Sequence, residues 1–257
     1  MRLTNYTLKS VRAPRRFDLA LVSDLHDTES DMVLEALSGM KPDIIAVTGD
    51  LTSRLDCREG EEAPYDRMIV THTSAFKLLE GAAKIAPTFY SLGNHELCGH
   101  YYKENRHRKC LKENLDAIYA SGARLLDDAF CDFEGLRIGG LTSGLTNGDD
   151  RPRLGWLDGF CSWEGFKILL CHHPEYYPLY LKDRPIDMIL SGHAHGGQIR
   201  LFGRGLYAPG QGILPKYTSG IHDGRFIVSR GLANTAKPIP RLFNPTELLR
   251  ITVIPVK

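Results

Sequence analysis

The chain predicts a layered α/β fold with two sheets packed face to face, and three observations predict it. Short apolar runs alternate with helix-period segments up to about residue 121, strands and Gly/Pro turns dominate the rest, and no repeat, low-complexity stretch or linker breaks either half. With 257 residues, 42% of them hydrophobic, the chain can form one α/β unit around a large core, so residues 1–257 are expected to be a single domain.

The elements follow in order. Met1 to Arg16 holds five basic residues and no acidic one, and Tyr6 to Val11 within it alternates apolar and polar side chains as an edge strand does. Peripheral contact with an anionic membrane is the alternative reading of that stretch. Strands are expected over Phe17–Ser23, Asp43–Thr48 and Pro87–Leu92, separated by helices over Ser30–Met40, Thr73–Ile85 and Asn105–Ala120. Val33, Leu34, Leu37 and Met40 mark the buried face of the first helix; Leu111, Leu115 and Ile118 mark that of the third. Gly39 and Gly122 are expected to stop them. Further strands are expected over Leu136–Leu141, Phe166–Cys171, Asp187–Leu190, Arg225–Ser229 and Leu248–Ile254. Ser53–Asp66, Leu97–Asn105 and Gly203–Gly220 read as surface loops, where substrate contacts tend to sit.

Composition bounds the function. Lys and Arg total 32 against 31 Asp and Glu, so at +1 no global field favours nucleic acid. The six cysteines show no CxxC spacing and read as reduced thiols. Neither an apolar secretory core nor a membrane-spanning run is present, and the chain is expected to be cytoplasmic.

The polar residues fall in a pattern. Five strands end in Asp24-Leu25-His26, Gly49-Asp50, Gly93-Asn94-His95-Glu96, His172-His173-Pro174 and Gly192-His193-Ala194-His195. Ligands of open α/β sheets bind at that strand edge, so these side chains can converge from distant parts of the chain. A Gly-Asp after a strand is by itself an ordinary turn. Five such ends together describe a metal site built from His, Asp and Asn. With no thiolate in the set, Mn, Fe, Zn or Co suits it better than Cu(I) or an iron–sulfur cluster. Seven candidates (Asp24, His26, Asp50, Asn94, His172, His193 and His195) exceed one tetrahedral ion and match two divalent ions roughly 3.5–4 Å apart. Two such cations outweigh the two carboxylates, which suits a phosphate oxyanion.

In these motifs, D-x-H, G-D, G-N-H-[DE], a later His and G-H-x-H in that order, the sequence resembles the calcineurin-like metallophosphoesterase superfamily. The segment His193-Ala194-His195-Gly196-Gly197-Gln198, with Ser229-Arg230-Gly231-Leu232 further on, resembles the small bacterial phosphodiesterases of the YaeI and YkuE type. The resemblance implies a four-layer α/β/β/α sandwich of two mixed β-sheets flanked by helices. It implies one metal held by Asp24, His26, Asp50 and His195 and a second by Asp50, Asn94, His172 and His193, with Asp50 bridging. His173 is left to support or to the surface.

The expected chemistry is attack on phosphorus by a metal-bridging hydroxide, with His95 as general acid for the leaving oxygen. Glu96 or Asp27 can orient a histidine. Gln198 and Arg200 can reach a phosphate, with a strand continuation as the alternative. The aromatic and basic residues from Tyr101 to Lys109 suit a nucleotide or a phospholipid headgroup, or form a solvated helix start. A small phosphodiester or nucleotide-lipid is therefore the expected substrate. A nuclease and a catalytically silent, metal-bound scaffold are the alternatives.

Overall fold

The computed structural model describes residues 1–52, 74–98, 109, 110, 112–143, 151–233 and 240–256. Sheet one is built from β1 (Arg2–Ser10), β2 (Phe17–Val22), β3 (Ile44–Val47), β4 (Thr88–Tyr90), β5 (Arg124–Leu125) and β12 (Glu247–Pro255), in the order β1-β12-β2-β3-β4-β5. Sheet two is built from β6 (Ala129–Phe133), β7 (Leu136–Leu141), β8 (Phe166–Cys171), β9 (Met188–Ser191), β10 (Gly220–His222) and β11 (Phe226–Val228), in the order β10-β11-β9-β8-β7-β6. Within each, a parallel core (β2-β3-β4-β5 and β11-β9-β8-β7) is joined by antiparallel neighbours, so both sheets are mixed.

Period-two alternation distributes each strand between two cores. Leu19 and Leu21 of β2, Phe89 of β4 and Leu249, Ile251 and Val253 of β12 face the second sheet, where they meet Ile138, Ile168, Leu170, Met188 and Leu190. Ala20, Val22, Ile45 and Val47 face outward onto α1 (Asp31–Met40) and α2 (Ser74–Ile85). On the far side, Leu169, Ile189, Phe226 and Val228 pack against α4 (Leu157–Cys161) and the π-helical turn Tyr177–Leu181. Four layers result, helix, sheet, sheet and helix, as expected.

Several boundaries move. Gly39 lies inside α1 and stops nothing; the helix ends at Met40 because Lys41, before Pro42, takes the left-handed conformation at φ 49° and donates its N–H to Leu37 O. The third helix, α3 (Lys112–Ala120), starts later than Asn105: Lys109–Cys110 pairs with Leu97–Cys98 as a short ribbon instead. Thr73, residues 105–108, the loop Ser53–Asp66 and the rest of Leu97–Asn105 lie outside the described residues. The stretch Gly203–Gly220 is partly ordered into ribbons, Arg200–Leu201 with Arg204–Gly205 and Tyr207–Ala208 with Gly212–Ile213. The N-terminal strand is an edge strand as expected, paired in parallel with β12.

Candidate metal centre

The C-terminal ends of β2, β3 and β4 in one sheet, and of β8 and β9 in the other, meet at one edge of the sandwich. Ladder pairing runs past the strands there: Asp24 N bonds Gly49 O, His26 N bonds Asp50 O, and Gly192 N bonds His172 O, each at 3.1 Å. The two sheets are stitched together at the same place. Asp24 accepts the His193 N–H at 3.0 and 3.1 Å on its two oxygens, and Leu232 N donates to Ser23 O at 3.0 Å. Gly192 allows this approach, since a Cβ there would lie 1.8 Å from Ser23 Oγ.

All eight residues picked out in the sequence are brought to this edge. Asp24, His26 and His195 offer ligand atoms within 4.8 Å of one another; so do Asp24, Asp50 and His172; His26, Asp50 and His95; and His172, His173 and His193. Asp50 stands between the groups, its Oδ2 at 3.0 Å from His172 Nε2 and 4.0 Å from His26 Nε2. His26 and His195 face each other, Nε2 to Nε2, at 3.3 Å. Asn94 is buried, with no hydrogen bond to its Oδ1 among the described residues, and so is His193 with respect to Nε2. Buried polar atoms without partners are costly, and a cation is one way to satisfy them. This donor set fits a divalent ion bound through nitrogen and oxygen.

The backbone is bent to make this arrangement. Asp24, His26, Asp50, His193 and His195 all adopt positive φ, between 45° and 62°. For residues with a Cβ such geometry costs of order 1 kcal/mol each, and it persists only where surrounding contacts impose it. Those contacts come from residues that the motif reading missed or misassigned. Glu96 makes no hydrogen bond to a histidine among the described residues. Its buried carboxylate instead turns back and accepts the N–H groups of Asp50 (2.9 Å), Leu51 (2.7 Å), Thr52 (3.2 Å) and Gly93 (2.7 Å), clamping the β3 turn to the β4 turn. Ser23 Oγ donates to Asp24 Oδ2 at 2.6 Å. Asn244 donates to His195 O at 2.7 Å and Gln198 O at 3.1 Å, holding the last turn from a position 49 residues away in sequence. Arg200 is occupied with Gly196 O, Gly203 O and Thr218 Oγ1, and Gln198 is wholly buried. His173 is buried too, its ring packed edge-on to His193 at 4.2 Å, so it packs within the cluster and does not face solvent.

Electrostatics divide the histidines. Burial holds His26 down at about 4 despite Asp50, and it also lowers His193 and His195, so all three are neutral at pH 7 with lone pairs available. His172 goes the other way: burial opposes its charge, but Asp50 outweighs burial and pushes it up to about 10. Its Nδ1 lies 2.7 Å from the Thr48 carbonyl, which can only accept, so the N–H is there and Nε2 faces Asp50. His95 differs in access. Its side chain is 22% exposed, against at most 6% for His26, Asp24, Asp50, His172 and His195, and its Nε2 lies 3.8 Å from Asp50 Oδ2.

Residues 17–197, which carry every one of these motifs, match the calcineurin-like phosphoesterase family. The chain belongs to that family. It is 30% identical to the YkuE metallophosphoesterase of Bacillus subtilis over 99% of this chain and 85% of that one. It is also 30% identical to the metallophosphoesterase Cj0846 of Campylobacter jejuni, over 90% of this chain but only 56% of that protein's length. It is 26% identical to the phosphodiesterase YaeI of Escherichia coli, over 72% of this chain and 63% of that one. No described helix is long and apolar enough to cross a membrane. Within this family the strand-edge cluster is the chain's candidate metal centre.

Proposed function

We propose that this chain hydrolyses a phosphodiester or pyrophosphate bond at two divalent cations, one held by Asp24, His26, Asp50 and His195 and the other by Asp50, Asn94, His172 and His193. One observation carries the reading: two buried carboxylates, Asp24 and Asp50, lie between two histidine groups, each within 4.0 Å of both His26 and His172, and Asp50 is the nearer to His172 at 3.0 Å. When bound, such a pair of ions supplies Lewis acidity toward a phosphoryl oxygen and brings water toward ionisation near neutral pH. The protein's own groups do the rest. Asp50 Oδ1 accepts the His95 N–H at 2.8 Å and so fixes the β4 turn beside the metal ligands. The His95 imidazole, the most solvent-accessible of the histidines compared above, is placed to hand a proton to the leaving oxygen. A small phosphodiester or nucleotide-lipid is the substrate class that follows; the Escherichia coli relative, a phosphodiesterase, supports the phosphodiester part of that reading.

The test is hydrolysis of bis-p-nitrophenyl phosphate and p-nitrophenyl phosphate by metal-stripped protein reconstituted with Mn, Zn, Co, Fe or Mg, beside an Asp50→Asn variant. Diester turnover restored by metal and lost in the variant is the expected result. Absence of turnover with two ions bound per chain would overturn the reading in favour of a metal-bound scaffold.

A further inference from the structure

We infer that the loop cluster beside the metal edge is a docking surface for an anionic phospholipid bilayer. Four bulky apolar side chains stand on it in the open: Phe202 is fully exposed, Ile213 82%, Phe243 79% and Leu214 69%. They come from three loop tips that the backbone ties together. Arg200 N donates to Leu242 O at 3.0 Å and Leu242 N to Gln198 O at 3.2 Å, which lays Phe243 beside the hairpin carrying Phe202; Leu214 N donates to Leu206 O at 2.9 Å. Single exposed apolar residues are ordinary, but a cluster of this size marks a contact surface.

The backbone strengthens the argument. Phe202, Leu214 and Phe243 sit at φ 49°, 52° and 55°, and among the described residues they are the only hydrophobic side chains at positive φ. Gly or Asn would be easier there and more soluble. Neither folding nor solubility explains a bulky apolar group at such a position.

Charge selects the partner. From Gly196 to Thr246 the sequence holds seven basic residues and one acidic, in a chain whose total is +1. Arg200 and Arg241 spend their hydrogen bonds on carbonyls and a hydroxyl and lie near Glu247, with Asp24 also acting on Arg241, so they are not among the free cations of the surface. Arg204 and Lys216 are exposed; Asp223 lies near Lys216, and neither cation is drawn into a close ion pair among the described residues. Apolar tips ringed by cations match the boundary between acyl chains and anionic headgroups, and separate tips need no partner of complementary shape. Asn244, next to Phe243, bonds the carbonyl of His195, so a docked surface would lie beside the metal centre.

The experiment is co-sedimentation of the full, metal-loaded chain with vesicles of phosphatidylcholine alone or with about a third phosphatidylglycerol. Binding to the anionic vesicles only, weakened by salt, is expected. Phe202→Ser with Phe243→Ser, and Arg204→Glu with Lys216→Glu, should each lower the bound fraction about tenfold. Val11→Ser, at an exposed residue on the opposite edge, should bind as the wild type does. Phe202→Trp keeps an apolar ring, and its fluorescence should shift to the blue on anionic vesicles whether or not the serine variants fold. Wild-type protein left in the supernatant, serine variants that bind normally, or an unshifted tryptophan would each overturn the proposal. So would a dimer that the paired Phe→Ser variant dissociates while no vesicle is bound, which would assign the surface to a second copy of this chain.

Discussion

In the metal-free protein His172 holds a proton where a cation would have to sit. Burial works against that charge, yet Asp50, Asp24 and Glu96 overcome it and raise His172 to about 10. A metal ligand must offer a bare nitrogen, so loading at pH 7 should release about one proton from this residue, and affinity should rise with pH up to the region of 10. Calorimetric metal titration in two buffers of different ionisation enthalpy measures that release; it should vanish in His172→Ala. His95 makes a different prediction. His95→Ala should leave both ions bound and cut turnover of poorly activated esters far more than of nitrophenyl esters, typically by 10²–10⁴-fold; equal losses on both would remove the proton-donor role. Glu96 serves chiefly to hold the backbone of the two turns. Glu96→Gln replaces one accepting oxygen with a donor facing backbone N–H groups, so it should cost about 2–3 kcal/mol in denaturant unfolding and weaken metal binding about tenfold or more. The motif Gly93-Asn94-His95-Glu96 shows in sequence that a carboxylate is present, but not that it folds back onto the turn after another strand. Asn244 carried no local signal at all, being an asparagine before a proline far from every motif.

At the scale of elements, the centre depends on two turns packed backbone to backbone. A Cβ on Gly93 would lie 2.2 Å from Asp50 Oδ1 and 2.5 Å from Asp50 N, both rigid, and Gly49 faces Gly93 at φ 97°. Gly93→Ala should therefore destabilise the fold by about 3 kcal/mol and lose metal. Gly39→Ala is the matched control: nothing lies within 4 Å of that Cβ, and the residue is helical, so α1 should gain about 0.5–1 kcal/mol. Thermal melts with bound-metal analysis distinguish the two. The strands that carry the site were legible because they are buried on both faces and read as apolar runs, such as Ile44–Val47 and residues 168–171. The small elements were not. Ala129–Phe133 is an edge strand with mostly exposed side chains, and Leu157–Cys161 is too short to show a helical period.

For the whole molecule, the decisive strand is the last. β12 reaches back across the chain to lie between β1 and β2, with Ile251 opposite Tyr6 on one side and Leu19 on the other. The sequence announces β12 as a strand through its alternation, but nothing local names its neighbours, because that pairing joins the two ends of the chain. Ile251 is also fully buried in the core between the sheets. Truncating it therefore removes packing from both sheets at once, and Ile251→Ala should cost about 2–5 kcal/mol. The two tryptophans report on this from the other side. Trp156 packs on Phe160 and Phe130 against the outer face of sheet two, and Trp163 lies near Arg137 of β7. If residues 1–257 unfold as one cooperative unit, tryptophan fluorescence and far-ultraviolet circular dichroism should give coincident denaturation curves, and Ile251→Ala should shift both midpoints equally. A variant whose circular dichroism midpoint falls while the tryptophan midpoint stays put would show two units that unfold separately. The metal centre, which draws ligands from both sheets, would then lie on the seam between them.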